Sequence, residues 1–256
     1  MSSSTSMDEV FIERMTWPDV EAAISAGKRR AIICAASSEQ HGPHLPEATD
    51  ALLGEEYARR LAVRLGDALV APVIRPGCSE HHMTFAGSLT ISAEQLMGII
   101  DSYIESLERH GVESFVVMSS HGGNYPVLAE WARRKPRSNC VVISDIAVFQ
   151  AGFDAIRRHG RTDTAGPHAE VMETSMMLAV HPELVHMDRA EPGFEGPMAL
   201  AELLERGMRG VSANGVIGNP VGSSAEIGEA VLEALAEALE GRVQERVNPG
   251  SGPILS

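Results

Sequence analysis

The chain has 256 residues, 44% apolar and 22% charged, a balance that suits one globular domain across residues 1–256 and excludes a disordered or fibrous chain. A formal net charge of -14 excludes a nucleic-acid backbone or an anionic membrane as partner, since both reward clustered Lys and Arg, and leaves a small-molecule substrate as the expectation. Cys34, Cys78 and Cys140 form no CxxC pair, the MSSSTSM start lacks the blocks of a signal peptide, and no window holds about 18 consecutive apolar residues, so a cytoplasmic protein without disulfides is expected.

In chain order, the apolar run Arg30 to Ala36 reads as the first strand and Asp50 to Leu65 as the first helix. A strand over Ala68 to Arg75 precedes a helix over Ala93 to His110, which opens on Ser92 with Gln95 placed to complete a capping box. Then come a strand over Ser114 to Ser119, a helix over Pro126 to Arg134 and a strand over Cys140 to Ala147. Helices over Ala169 to Val180, Met198 to Arg206 and Ser223 to Leu239 follow, with Gly241 near the stop of the last. Each strand is apolar at consecutive positions, as a strand covered by helices on both faces must be, so the class is α/β with a mostly parallel sheet. Loops rich in Gly and Pro fall at His41 to Pro46, Pro76 to Gly77, Gly122 to Gly123, Gly166 to Pro167 and Asn214 to Gly222. Several follow strand ends, where open α/β sheets build their sites. A Ser-rich start and the tail Asn248 to Ser256 stand outside this pattern.

Three segments carry chemistry. In the first, Glu39-Gln40-His41-Gly42-Pro43-His44 with Thr49-Asp50, residues 39 and 41 point to one side of extended backbone and converge on one ion or on neighbouring ions. Asp50 opens a helix, where the helix dipole favours a carboxylate that can bridge two metals. Such a mixed N/O set suits Zn, Mn or Fe(II); the bland alternative is a surface turn. The second is His121-Gly122-Gly123-Asn124 at the end of an apolar strand, where Asn124 can donate to a substrate carbonyl or orient a neighbour. The third is His168-Ala169-Glu170 with Glu173-Thr174-Ser175. Glu173 among methionines faces inward and must find a cation or strong donors, and His168, at a helix start, suits a proton shuttle to a leaving nitrogen with a pKa near neutrality. A fourth segment, Glu80-His81-His82 in a glycine-bounded loop, reads as pocket lining.

Taken together and in this order, the segments resemble the creatininase (creatinine amidohydrolase) family in its H-G-G-N form, over about Ala31 to Ser175 with a weaker echo in Gly215 to Gly228. The resemblance implies a three-layer α/β/α sandwich, hydrolysis of a small cyclic or linear amide by metal-activated water, and a homo-oligomer, commonly a hexamer. By position, Glu39, Asp50 and His121 would bind one divalent ion and His41 and Asp50 a second, with Glu173 completing a shell. His168 takes the family's catalytic position, and a metal or Asn124 would polarise the carbonyl. Alternatives in the same family are peptidases of modified peptides and hydrolases of a cyclic ketone or lactone. Three positions depart from the pattern: Gly123 stands where creatininase proper has a ligating Glu, Glu170 replaces a Gly beside the catalytic histidine, and Glu47 brings a charge toward the mouth. Trp17 and Trp131 are the only tryptophans and neither lies in the segment that creatininases use, so creatinine is not the expected substrate.

Overall fold

Runs without polar positions become inner strands. In the computed structural model, which describes residues 9–160, 168–196 and 200–247, β1 (Arg30–Ala35), β2 (Ala68–Val70), β3 (Ser114–Ser119) and β4 (Cys140–Val142) form a parallel sheet in the order β2-β1-β3-β4. The Ser-rich start, the Gly166–Pro167 loop, the first residues of the helix expected from Met198 and the tail from Asn248 lie outside the described residues. β1 and β3 occupy the centre, in register from Arg30 opposite Ser114 to Ala35 opposite Ser119. Successive side chains point to opposite faces of a strand. Ile32 and Cys34 therefore join Val116 and Met118 in one core, while Ala31, Ile33 and Ala35 join Phe115 and Val117 in another.

Two apolar faces require two helical covers. They come from α1 (Trp17–Ser25), α2 (Thr49–Leu65), α3 (Ala93–Glu108), α4 (Tyr125–Arg134), α5 (Gln150–Arg158), α6 (Val171–Val180), α7 (Leu200–Arg206), α8 (Met208–Val211) and α9 (Ala225–Val247). Ile24 of α1, Leu96 and Ile100 of α3 and Trp131 of α4 bury against the Ile33 face; Leu61 of α2, Ile156 of α5, Met176 of α6 and Leu235 of α9 bury against the Ile32 face. Each such side chain contributes roughly 1.5–3 kcal/mol on leaving water. The architecture is the three-layer α/β/α sandwich. A small third cluster, Leu203, Met208 and Ile217, lies apart from both cores. Among the described residues no helix is long and apolar enough to cross a membrane, and all three cysteines are free.

Several element ends differ from expectation, each for a local reason. β2 stops at Val70 because Pro72 has no N–H to give; beyond it only Ala71 and Ile74 still donate to β1, at Ile32 and Cys34. β4 ends at Val142, after which Asp145 accepts from the Ala147 N–H at 3.0 Å and starts a 3₁₀ turn over Ile146–Phe149. α9 runs through Gly241 to Val247, since one glycine inside a long helix costs only about 1 kcal/mol. α6 begins at Val171, not Ala169: Ala169 takes φ 56°, Glu170 is extended and caps the helix by accepting from the Met172 N–H at 2.7 Å, and His168 pairs with Ile217. The Ser92–Gln95 capping box is present at the start of α3. α1, α5 and α8 were not expected; in α5 the apolar face is brief, Gly152, Ala155 and Ile156 going in and Arg157 and Arg158 out.

Candidate metal centre

The carboxyl ends of the two central strands bring the candidate residues together. Glu39 and His41 lie in the loop that leaves β1, and His121 is the second residue past β3. Asp50 is in the first turn of α2 and Glu173 in the first turn of α6, where helix N-termini favour negative charge. Glu39, Asp50 and His121 place ligand atoms within 4.8 Å of one another, as do His41, Asp50 and Glu173, so Asp50 is common to both groups. Glu39, His41 and His168 form a third such group.

Backbone carbonyls decide which nitrogen of each histidine faces inward. His41 donates from Nδ1 to the Glu39 carbonyl at 3.0 Å, which leaves the Nε2 lone pair directed at Asp50 Oδ1, 3.2 Å away, and Glu173 Oε2, 3.8 Å away. His121 donates from Nε2 to the Cys78 carbonyl at 3.1 Å, leaving Nδ1 facing Glu39 Oε1 at 3.1 Å and Asp50 Oδ2 at 3.3 Å. Lone pairs aimed at carboxylate oxygens repel unless a cation or a proton lies between them. His41 Nε2 and Asp50 Oδ2 are buried with no hydrogen-bond partner. Three carboxylates and two imidazoles, nearly all buried, with orphaned atoms turned inward, fit divalent ions better than any internal pairing could.

The titration behaviour expresses the same geometry. Burial would push His41 down, but the Asp50 and Glu173 carboxylates outweigh it and take the imidazole up to about 10; Glu39 and Asp50 likewise overcome burial and hold His121 well above the ordinary histidine range. Burial raises Glu173 to about 7, whereas Glu39, although buried, is held well below the usual range by His121 and His82. In metal-free protein the raised histidines stabilise the fold fully below about pH 6.5, and that contribution is lost as pH climbs through their folded values, for His41 near 10. Glu173 acts in the same sense, its protonated form being favoured in the fold. A divalent ion must displace these protons. The unfolding temperature of chelated protein is therefore expected to fall between neutral pH and about pH 10, that of metal-loaded protein to fall less, and calorimetry in buffers of different ionisation enthalpy to register proton release on metal uptake. A chelated protein insensitive to pH, taking up metal without releasing protons, contradicts this electrostatic account.

A buried hydrogen-bond network holds the cluster. Ser37 donates to Glu39 Oε2 at 2.9 Å and also contacts Ser79, whose hydroxyl is 3.4 Å from His121 Nε2. His44 is fully buried against Thr174, at 2.9 Å, rather than a surface group. Gln40 ties the site to the late part of the chain: its amide accepts from the Gly42 N–H and donates to Gly215 O at 3.2 Å and to His82 Nδ1 at 3.1 Å. His82, with Nδ1 accepting, carries its proton on Nε2 and offers it to Glu39 Oε1, 3.3 Å away. Sequence reasoning missed Gln40, Ser37 and the contact of His82 with Glu39; the only prior signal was the presence of paired histidines in a glycine-bounded loop.

His168 is buried and donates from Nε2 to the Gln40 carbonyl at 2.9 Å, leaving the Nδ1 lone pair available. Its ring lies 4.3 Å from that of His41. Burial first, and the charge on His41 next, hold it well below the ordinary range, so it is neutral at neutral pH rather than poised near its midpoint as the sequence suggested. Asn124 does not keep the substrate-facing role considered for it. Its amide nitrogen lies 3.1 and 3.0 Å from the carbonyls of Ala35 and Ala36, its oxygen accepts from the Cys78 N–H at 2.9 Å, and it is wholly buried. It latches the ends of β1 and β3 to the 77–79 loop, which is the orienting role. Glu170 caps α6, and Glu47 packs under Gly87 instead of lining the cavity. Gly123 admits no side chain: a Cβ there would lie 2.4 Å from His121 Nε2 and 2.5 Å from the Cys78 carbonyl. A Glu at that position has no room, and Glu173 is the carboxylate that closes the His41 side.

The cluster opens into a cavity of about 510 Å³ lined by Glu39, Asp50, His121, His168 and Glu173 at one end, with His81 and His82 beside them. A second cavity, about 550 Å³ between β4 and the end of α9, contains none of the ligand groups.

Comparison with known proteins identifies the family. The family model for creatininase, described as creatinine amidohydrolase, matches residues 13–243. A mycofactocin precursor peptide peptidase of Mycobacterium ulcerans is 31% identical over 94% of this chain and 90% of its own length. The creatinine amidohydrolase of Pseudomonas putida is 28% identical over 94% of this chain and 98% of its own. A solved structure described as "Creatininase Mn" superposes with a TM-score of 0.75 at 27% identity, covering 93% of this chain and 98% of that one. Matching architecture and a family model spanning most of the sequence place this chain in the creatininase family of hydrolases.

Proposed function

We propose that this protein is a metal-dependent amidohydrolase that cleaves a carbon–nitrogen bond of a small amide other than creatinine. The observation that carries the reading is the pair of ligand groups sharing Asp50, with both histidine lone pairs turned inward by hydrogen bonds to the backbone. Glu39, Asp50 and His121 would hold one divalent ion and His41, Asp50 and Glu173 a second, of Zn, Mn or Fe type. When bound, such an ion acidifies a water molecule and polarises a carbonyl.

The chain's own residues do the rest. His168, neutral and fixed through Nε2, accepts a proton at Nδ1 and passes it to the leaving nitrogen. The Gln40 and Ser37 networks hold the ligand side chains still, and Asn124 holds the strand ends that carry them. Water oxygen ends on the carbonyl carbon and the proton on nitrogen, giving an acid and an amine. The test is elemental analysis of the purified protein together with a screen of formamides, cyclic ureas and short amides, with and without chelator. Close to one or two equivalents of divalent metal and chelator-sensitive release of an amine are expected; turnover that survives exhaustive chelation, or a protein that retains no metal after loading, removes the reading.

A further inference from the structure

The carboxylates and imidazoles of the cavity are gathered at one end. Away from the ligand cluster the cavity is lined by Ile146 and Phe149 from the turn before α5, Phe153 from α5, Met172 from α6, and Leu203 and Met208 from α7 and α8. No Lys or Arg is among the described lining residues; of the hydroxyls there, that of Tyr125 is given to the Ser119 carbonyl at 3.2 Å and that of Ser120 to the Asp50 carbonyl at 2.7 Å, which leaves Ser144 beside Ile146. A phosphate seeks Arg or Lys, and a polyol needs a partner for each hydroxyl that leaves water. A phosphate finds no such partner on this lining, and a polyol finds Ser144 for one hydroxyl and apolar side chains for the rest. Ile146 is 55% exposed to solvent there, an apolar surface that an apolar ligand would cover.

We propose that the site takes an uncharged amide bearing an aromatic or branched aliphatic group about the size of a phenylalanine or leucine side chain, seated among Ile146, Phe149, Phe153, Leu203 and Met208. This assignment rests on the reading of the centre as a metal-dependent amidohydrolase. Hydrolysis breaks the C–N bond, adds the water oxygen to the carbonyl carbon and leaves the proton on nitrogen, so the products are a carboxylic acid and an amine, one of them apolar.

The test uses manganese-loaded protein and three hydroxamic acids that share a metal-binding head and differ in the tail: acetohydroxamate, phenylpropionohydroxamate and gluconohydroxamate. Titration calorimetry is expected to show the phenyl compound binding roughly tenfold to a hundredfold tighter than acetohydroxamate, from apolar burial alone, and the polyol compound no tighter. Ile146→Asp, a change at an exposed position, should erase most of the phenyl advantage while acetohydroxamate binding stays. Equal binding of the three, preference for the polyol tail, or no binding of the phenyl compound overturns the assignment. Hydrolysis of N-formylphenethylamine against N-formylglucosamine, run in parallel, separates the two readings. Tail preference without turnover of any amide keeps the apolar cavity and removes the amidohydrolase, and turnover without tail preference does the reverse.

Discussion

Asp50→Asn is expected to lower turnover by roughly a thousandfold or more, beyond the 10–100-fold typical of losing an outer partner of a metal ligand, and to deplete bound metal. The substitution keeps shape and removes charge at the one residue common to the two ligand groups that face His121 and His41. Its two oxygens lie 3.2 Å from His41 Nε2 and 3.3 Å from His121 Nδ1, so an amide there turns N–H donors, which cannot bind a cation, toward one of the two ion positions. The local fold should survive, because Ser120 binds the backbone carbonyl of Asp50 at 2.7 Å and not its side chain. Elemental analysis, circular dichroism and rate measured on one preparation decide it. A folded variant with full metal and full rate shows that Asp50 holds no ion.

His168→Ala has the opposite signature: metal content is expected to stay, while the rate drops by about 10²–10⁴, the scale of general acid–base help. The physical basis is the hydrogen bond from Nε2 to the Gln40 carbonyl, which leaves one nitrogen for proton transfer. Loss of the rate's pH dependence and partial rescue by added imidazole distinguish proton transfer from a merely structural loss. Because His168 also lies within ligand distance of Glu39 and His41, loss of metal in this variant would make it a ligand and remove the shuttle role.

How far a residue's role could be read in advance tracks how local its cause is. β1 and β3 were legible because five of the six residues in each are buried, and contiguous apolar runs report that directly. α3 was legible from its capping box and α2 from its Asp50 start, and the structure ends α2 before Gly66, which takes φ 76°. β2 is shorter than its apolar run because Pro72 interrupts that run without an N–H to offer. The part played by Gln40 and the choice between the two roles open to Asn124 have a non-local cause: Gln40 binds residues 42 and 175 positions away, and Asn124 binds carbonyls 88 and 89 positions back. No local pattern encodes such a partner.

The amino-acid sequence by itself determined the α/β alternation, the loops that leave the strands and the chemical kinds of donor they carry, since periodicity, chain-breaking residues and side-chain chemistry are properties of neighbours along the chain. Only the tertiary structure decided which histidine nitrogen faces inward, that Gly123 leaves no space for a side chain beside His121 while Glu173 stands on the other side near His41, and that the cavity beyond is mostly apolar. Lone-pair direction, desolvation and free volume are set by atoms brought together from distant segments, and they take definite values only when those segments pack.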